Sequence, residues 1–432
     1  MRIVPLKELP PGEVNALLQR NRAAFEDLLP RVREIVHQVR ARGDEALLGF
    51  TSAFDRVDLT HLEVTPQERQ SARQEVTREV MAALERAITH VEQYHALSLA
   101  SQQTTRWESL GPGLLAGWVR RPIQRVGLYA PGGRAVYPSS VIMTGAPARL
   151  AGCPTRVLCI PPTPDGRAPA ATLAAADLVG VQRVFKVGGA QAVAALAYGT
   201  ETIPAVDKIF GAGNLWVTAA KALVSQDVAI DMPAGPSEVL ILADESAPAR
   251  WVAADLLAQA EHGPDSVCLL VTPSARLAQA VAHEVAQMVG GLATRAADQE
   301  SLARNGAILL VDSLEEGMDF ANRFAAEHLQ IIAAEPERWL AGVTQAGSVF
   351  LGPWSPVALG DYASGPNHVL PTAGHARAYS ALGVEAFTRT IQVQAVTAPG
   401  LRRLAPAVAA LAQVEGLPAH ARAVQVRLEE QP

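Results

Sequence analysis

From Arg125 onward the chain alternates between two patterns, and this alternation limits the possible folds more than any other feature. Short β-branched runs recur at Arg125–Tyr129, Arg156–Ile160, Arg183–Val187, Val206–Phe210 and Val228–Ile230. Ala-rich helical stretches separate them at Ser139–Leu150, Ala168–Leu178, Ala190–Tyr198 and Leu215–Leu223. A second series of apolar runs follows at Glu238–Ala243, Val267–Thr272, Ala307–Val311, Leu329–Ile332 and Ser348–Leu351, again with helices between. Strands that alternate with helices imply parallel sheets covered on both faces. The pattern therefore predicts two doubly wound α/β units in tandem. The first 60 or so residues read as mixed helix and loop. Thr65-Pro66-Gln67-Glu68 is a capping box opening one long polar helix to about Leu97. The tail from about Gly383 reads as helical, with a break at Glu415-Gly416-Leu417-Pro418.

Composition excludes several classes. Of the 432 residues, 49% are hydrophobic and 19% charged, so a large core is available and disorder is excluded. The net charge is −6 and no basic cluster is interleaved with aromatics, so nucleic acid is not an expected partner. No run of about 18 apolar residues and no apolar leader is present, so neither a membrane partner nor secretion is expected. Cys153, Cys159 and Cys268 are sparse and odd in number, which fits a reducing cytoplasm and small core side chains.

Chemistry-bearing residues concentrate at element boundaries. The apolar helical run Pro248–His262 carries Gln259 and His262 three apart near its end, so both can face one spot before Gly263-Pro264 stops the helix. A lone His there is more often a cap or a satisfied core residue. Glycine turns Pro131-Gly132-Gly133, Gly188-Gly189-Ala190-Gln191 and Gly211-Ala212-Gly213-Asn214 follow strands of the first unit. Helix starts at that carboxyl edge favour phosphate. The dinucleotide fingerprint G-x-G-x-x-G is incomplete, because Trp216 stands where the third Gly would be. A nucleotide cofactor and ordinary tight turns therefore both remain open. Glu327-His328 is an acid and a base side by side before a strand; one of the pair can be merely structural. Asp361 and His368 fall in a stretch dense in Gly, Pro and Ser from Gly360 to Pro371, read as a functional loop or a surface turn. Glu415 and His420 flank the start of the last helix, where simple capping is the alternative. Together Gln259, His262, Asp361 and His420 form an O/N set suited to Zn²⁺, though spacing cannot show that they converge. His37, His61, His90, His95 and His283 read as surface residues.

Nearly the whole chain, from about Ala24 to Arg427, resembles the histidinol dehydrogenase family. The resemblance is carried by Val126-Gly127-Leu128-Tyr129 through Gly133, Val187–Ala192, Asp231–Glu238, Gln259–Ser266, Glu327-His328-Leu329 and Gly360–Gly365. It implies zinc, one ion per subunit, on Gln259, His262, Asp361 and His420. It implies catalysis by Glu327 and His328. Substrate contacts would come from Ser237, Gln259, His262, His328, Asp361, His368, Glu415 and His420, and NAD contacts from Tyr129, Gln191 and Asn214. The implied activity is oxidation of L-histidinol through L-histidinal to L-histidine with two NAD⁺, in cytoplasmic histidine biosynthesis. The implied assembly is a homodimer with shared active sites, Glu415 and His420 reaching the partner. The expected division is an N-terminal segment 1–25, a zinc and catalytic Rossmann-like domain 26–124 with 238–381, an NAD-contacting Rossmann-like domain 125–237, and a helical C-terminal segment 382–432. One departure shows: Ala212 replaces the Pro of the family's usual Gly-Pro-Gly-Asn, and a looser turn is expected there. Competing readings are a relative acting on another primary alcohol, a zinc hydrolase and a non-catalytic metal-binding protein.

Overall fold

The computed structural model describes residues 1–20, 22–100, 104–133 and 135–429. Its strands, in chain order, are β1 (Arg2–Pro5), β2 (Thr105–Gly111), β3 (Leu114–Pro122), β4 (Arg125–Tyr129), β5 (Thr155–Ile160), β6 (Arg183–Lys186) and β7 (Lys208–Phe210). They continue as β8 (Ala229–Ile230), β9 (Glu238–Ala243), β10 (Val267–Thr272), β11 (Gly306–Leu310), β12 (His328–Ile332), β13 (Ser348–Leu351) and β14 (Thr388–Val396). The chain is an α/β protein with two parallel sheets and one small antiparallel sheet. The five-stranded sheet runs β6-β5-β4-β7-β8 and the six-stranded sheet β1-β11-β10-β9-β12-β13. In the five-stranded sheet the chain enters at the central β4, steps outward to one side, then crosses to the other; in the six-stranded sheet β9 to β13 repeat this path and β1 adds at the edge beside β11. The reversals fall between β4 and β7 and between β9 and β12.

The apolar runs become these strands because both sheet faces are covered. Every residue of β9 and β10 is buried. Leu240, Leu242, Leu269 and Val271 enter one core layer, and Val239, Ile241, Cys268 and Leu270 the opposite one. Each such side chain contributes on the order of 1.5–3 kcal/mol through removal from water. All three cysteines are buried and free, as their composition led us to expect.

The chain divides into two compact units. One comprises Met1–Leu97 with Ile123–Phe387 and holds both parallel sheets; the other comprises Ser98–Pro122 with Thr388–Pro432. The second unit holds the antiparallel sheet β14-β3-β2 and the helices Ala398–Val414 and Pro418–Glu429.

Several expectations need correction. The tail is not wholly helical, because β14 pairs along its whole length with β3. Residues 26–124 do not join the 238–381 sheet as expected. Val32, Val39 and Leu47 of the helix Arg22–Phe50 pack with Val193, Leu196 and Ile209 around the five-stranded sheet. Residues 1–25 are not a separate segment either, since β1 extends the six-stranded sheet beside β11. The capping box on Thr65 forms with both reciprocal bonds. The long helix is nonetheless two, Pro66–Glu75 and Arg78–Ala100, because Val76 takes an extended backbone. His95 is buried at 1% exposure rather than on the surface.

Candidate active site

The site grows from the reversal of the six-stranded sheet, at the amino ends of β9 and β12. His328 pairs in register with Val239, so Glu327 comes beside Ser237 and Glu238. Glu327 Oε2 accepts from Ser237 Oγ at 2.6 Å and from the Glu238 N–H at 2.7 Å. Burial pushes its carboxyl up to about 7, against the opposing pull of His328 and of these two donors. The group therefore gains and loses its proton near neutrality.

His328 Nδ1 lies 2.9 Å from the Glu238 carbonyl oxygen. A carbonyl only accepts, so we assign the proton to Nδ1, which leaves Nε2 a free acceptor. Nε2 is 3.9 Å from Asp361 Oδ1, and Nδ1 is 3.4 Å from Glu327 Oε2. Asp361 sits in the last turn of a short helix, Val357–Tyr362, not in a loop as expected. Pro356 at the N-cap starts that helix, and Ala363 (φ −142°) ends it. The Asp361 carbonyl accepts from His368 Nδ1 at 2.9 Å, and His368 Nε2 is 3.5 Å from Ser140 Oγ. Burial lowers the pKa of His368, with Asp361 opposing. A cavity of about 200 Å³ opens beside His328 and His368, walled by Phe350, Leu359 and Gly360.

The helix Ala249–Ala260 carries Gln259 in its last turn, with His262 just beyond its end. His262 is exposed, yet the protein around it withdraws enough water to lower its pKa; Asp361 opposes the shift and His328 adds to it, so all three lie within electrostatic reach. Gln259 is 2% exposed, yet neither of its amide atoms has a hydrogen-bond partner. A buried, unsatisfied amide costs about 1–3 kcal/mol unless something else takes it up. A metal ion accepting the amide oxygen, beside neutral His262 and the Asp361 carboxylate, would meet that demand. Among the described residues no three His, Cys, Asp or Glu side chains form a metal cluster by themselves, so the set needs a further donor. Glu415 and His420 belong to the other compact unit. Glu415 caps the C-terminus of Ala398–Val414, His420 lies in the first turn of Pro418–Glu429, and both are exposed.

A second constellation occupies the carboxyl edge of the five-stranded sheet. Tyr129, the last residue of β4, accepts from the Gly189 N–H at 3.1 Å through its hydroxyl. Gln191 lies buried in the first turn of Gly189–Tyr198. Asn214 caps Leu215–Val224, its Oδ1 accepting from the N–H groups of Trp216 and Val217. Gly211 has φ +123°, and a Cβ there would stand 2.1 Å from the Tyr129 carbonyl oxygen. Ala212 keeps a negative φ and fits without strain.

Comparison with known proteins decides the family. Its model for histidinol dehydrogenase matches residues 18–428. The histidinol dehydrogenase of Methanosarcina barkeri is 46% identical over 427 residues, covering 99% of this chain and 98% of its own. The chain belongs to the histidinol dehydrogenase family. It is accordingly an NAD-dependent oxidoreductase of histidine biosynthesis. The histidinol dehydrogenase of Vibrio vulnificus is 45% identical over 435 residues, covering 100% of this chain and 99% of its own. The crystal structure of histidinol dehydrogenase from Elizabethkingia anophelis matches with a TM-score of 0.90 at 40% identity, covering 99% of this chain and 97% of that one. Among the described residues no helix is long and apolar enough to cross a membrane.

Against this histidinol dehydrogenase frame, sequence reading missed three charged groups. Lys221 Nζ donates to the Gly211 carbonyl at 2.8 Å, while Asp231 Oδ2 accepts from the Gly211 N–H at 2.8 Å. Lys221 and Asp231 also pair with each other, both buried, and so pin the Gly211 turn from both sides. A single Lys in the otherwise apolar helix Leu215–Val224 was the available signal. Arg20, paired with Glu238, left no pattern in the sequence.

Proposed function

We propose that this chain oxidises L-histidinol through L-histidinal to L-histidine, passing one hydride to each of two NAD⁺. The observation that carries this reading is the buried, unpartnered amide of Gln259, three residues before His262, which lies within electrostatic reach of His328 and Asp361. Gln259, His262 and Asp361, with His420 of the partner subunit, would hold zinc. When bound, that ion would supply a Lewis acid and an anchor for the amine and imidazole of the substrate.

The remaining steps belong to the chain's own side chains. His328 takes the carbinol O–H proton on Nε2 as the C–H hydride departs to the first NAD⁺. Its Nδ1–H donates to the Glu238 carbonyl, which holds this tautomer and steadies the imidazolium that forms. Glu327, whose carboxyl burial pushes up to about 7, takes a proton from water in its ionised form as the oxygen adds to the aldehyde. The resulting hydrate loses its hydride to the second NAD⁺ and a proton to the site, and the carboxylate of L-histidine is formed. Ser237 orients Glu327, and His368 and Glu415 contribute to holding the cationic substrate.

We read both parallel sheets as Rossmann-like doubly wound units. The five-stranded one would take NAD⁺ through Tyr129, Gln191 and Asn214, its helix starts facing the pyrophosphate. The six-stranded one would carry the chemistry, and the C-terminal segment would complete the site of a second subunit in a homodimer.

The test is the number of NADH formed per L-histidinol consumed, before and after chelation. Two NADH, lost on chelation and regained with zinc, is the expected result. One NADH, or none with histidinol, overturns the four-electron reading.

A further inference from the structure

Arg20 follows the helix Pro11–Leu18, far in sequence from the motifs that form the site. Its Nε donates to Glu238 Oε1 at 2.8 Å and its Nη2 to Glu238 Oε2 at 2.6 Å. Nη1 donates to the carbonyls of Leu18 at 3.2 Å and Phe324 at 2.9 Å. The guanidinium carbon lies 3.6 Å from the centre of the Phe324 ring. The two charged side chains are 6% and 0% exposed. With its donors bound to protein and the group buried, Arg20 has no face left for substrate.

What Arg20 holds is the framework of the catalytic pair. The Glu238 N–H donates to Glu327, and the Glu238 carbonyl accepts from His328. Phe324 ends the helix Leu314–Phe324, three residues before Glu327, and the chain turns there through a left-handed Ala325 (φ 52°). Glu238 Oε1 also accepts from the Ala373 N–H at 2.8 Å, tying down the segment after His368. One planar fork thus joins the strand that orients both groups to the helix end that delivers them. A buried ion pair is a poor source of net stability compared with apolar residues of the same volume. A bidentate fork does, however, fix one geometry.

We propose that Arg20 is a positioning residue, acting through Glu238 to hold Glu327 and His328 at their reacting distances. This rests on the roles proposed for those two residues. The test compares Arg20→Met, Arg20→Lys and the double variant Arg20→Met/Glu238→Gln with the parent enzyme. For each, kcat and KM are measured for L-histidinol, L-histidinal and NAD⁺, with zinc content and thermal melting alongside. Arg20→Met should lower kcat per zinc-loaded site on the order of 100-fold, while KM for NAD⁺ stays put. Arg20→Lys keeps the charge without the fork and should recover only part of that loss. The double variant removes the stranded buried charge, so it should regain melting temperature without regaining kcat. An unchanged kcat in Arg20→Met, or full recovery of kcat in the double variant, would overturn the proposal. Should Arg20→Met not fold, the Lys and double variants decide by the same criteria. NADH yield of the parent separates the two readings: fewer than two per histidinol refutes the catalytic roles and this proposal with them. Two NADH with an unimpaired Arg20→Met refutes the positioning role alone.

Discussion

Replacing Glu327 by Gln tests the proposed division of labour most directly. Gln keeps an oxygen that can accept from Ser237 Oγ and the Glu238 N–H, so the local fold should survive. What is lost is a proton acceptor whose pKa burial has moved up to about 7. If Glu327 activates water, oxidation of L-histidinal should follow its ionised fraction. The rate should then rise about tenfold from pH 6 to a plateau above neutrality. In Glu327→Gln that acid limb should vanish and the plateau should drop by about 10²–10⁴. Oxidation of L-histidinol to the aldehyde, which uses His328, should be much less affected. The assay supplies each substrate separately and follows NADH. An unchanged rate with L-histidinal, or an acid limb that persists in the variant, would refute the reasoning.

The same shift has a consequence for stability, of fixed sign. The carboxyl binds its proton more tightly folded than unfolded, so between about pH 4.5 and 7 the native state carries more protons. Stability contributed by this group is fully present below that window, falls through it and stays low above pH 7. The full difference is on the order of 3 kcal/mol. Glu327→Gln removes the titration. At equal metal loading it should therefore gain stability over the parent at pH 8 relative to pH 4.5. Urea unfolding at the two pH values measures this, and a gain of equal size at both would deny the buried acid its cost.

Two further predictions concern the cofactor edge and the assembly. Gly211→Ala adds a Cβ 2.1 Å from the Tyr129 carbonyl at a φ of +123°, so it should cost at least about 2 kcal/mol in urea unfolding and raise KM for NAD⁺; parent-like values would show that the turn is free to relax. Mixing inactive His262→Asn and His420→Asn proteins should restore up to about a quarter of parental activity if sites are shared across a twofold dimer, and no recovery despite proven subunit exchange would remove His420 from the shared set.

The parallel sheets were legible in the sequence because strands buried on both faces read as unbroken apolar runs, as β9 and β10 do. The antiparallel sheet was not, and the reason is physical. In β2 six of seven residues are exposed, and in β14 seven of nine, so no buried face writes a period of two into Thr105–Gly111 or Thr388–Val396. His95 was misread for a related reason. Its burial depends on a distant segment, where Asn367 lies 3.4 Å from its ring and donates to the Met143 carbonyl. Within the site, residues in short motifs were readable by type, but their partners were not. The sequence marks Gln259 by its spacing from His262, but that its amide is buried with nothing to bind appears only in three dimensions. Arg20 has its consequence through contacts 218 and 304 positions away.

The two constellations use opposite ends of similar sheets, and electrostatics accounts for the choice. At the carboxyl edge of the five-stranded sheet, Gly189–Tyr198 and Leu215–Val224 present helix N-termini, whose free N–H groups and partial positive charge suit a pyrophosphate. At the amino ends of β9 and β12 the geometry is reversed. The helix Ala249–Ala260 arrives by its C-terminus, with Gln259 in its last turn and His262 just beyond. Partial negative charge there, with Asp361 acting on His262 just beyond the helix end, favours a cation. Zinc and the ammonium of histidinol are both cations, and an anionic substrate would meet repulsion. Each sheet thus presents the end whose charge matches the group proposed to lie against it. On the proposed assignment, the second sheet would depart from the usual carboxyl-edge rule for open α/β sheets for an electrostatic reason.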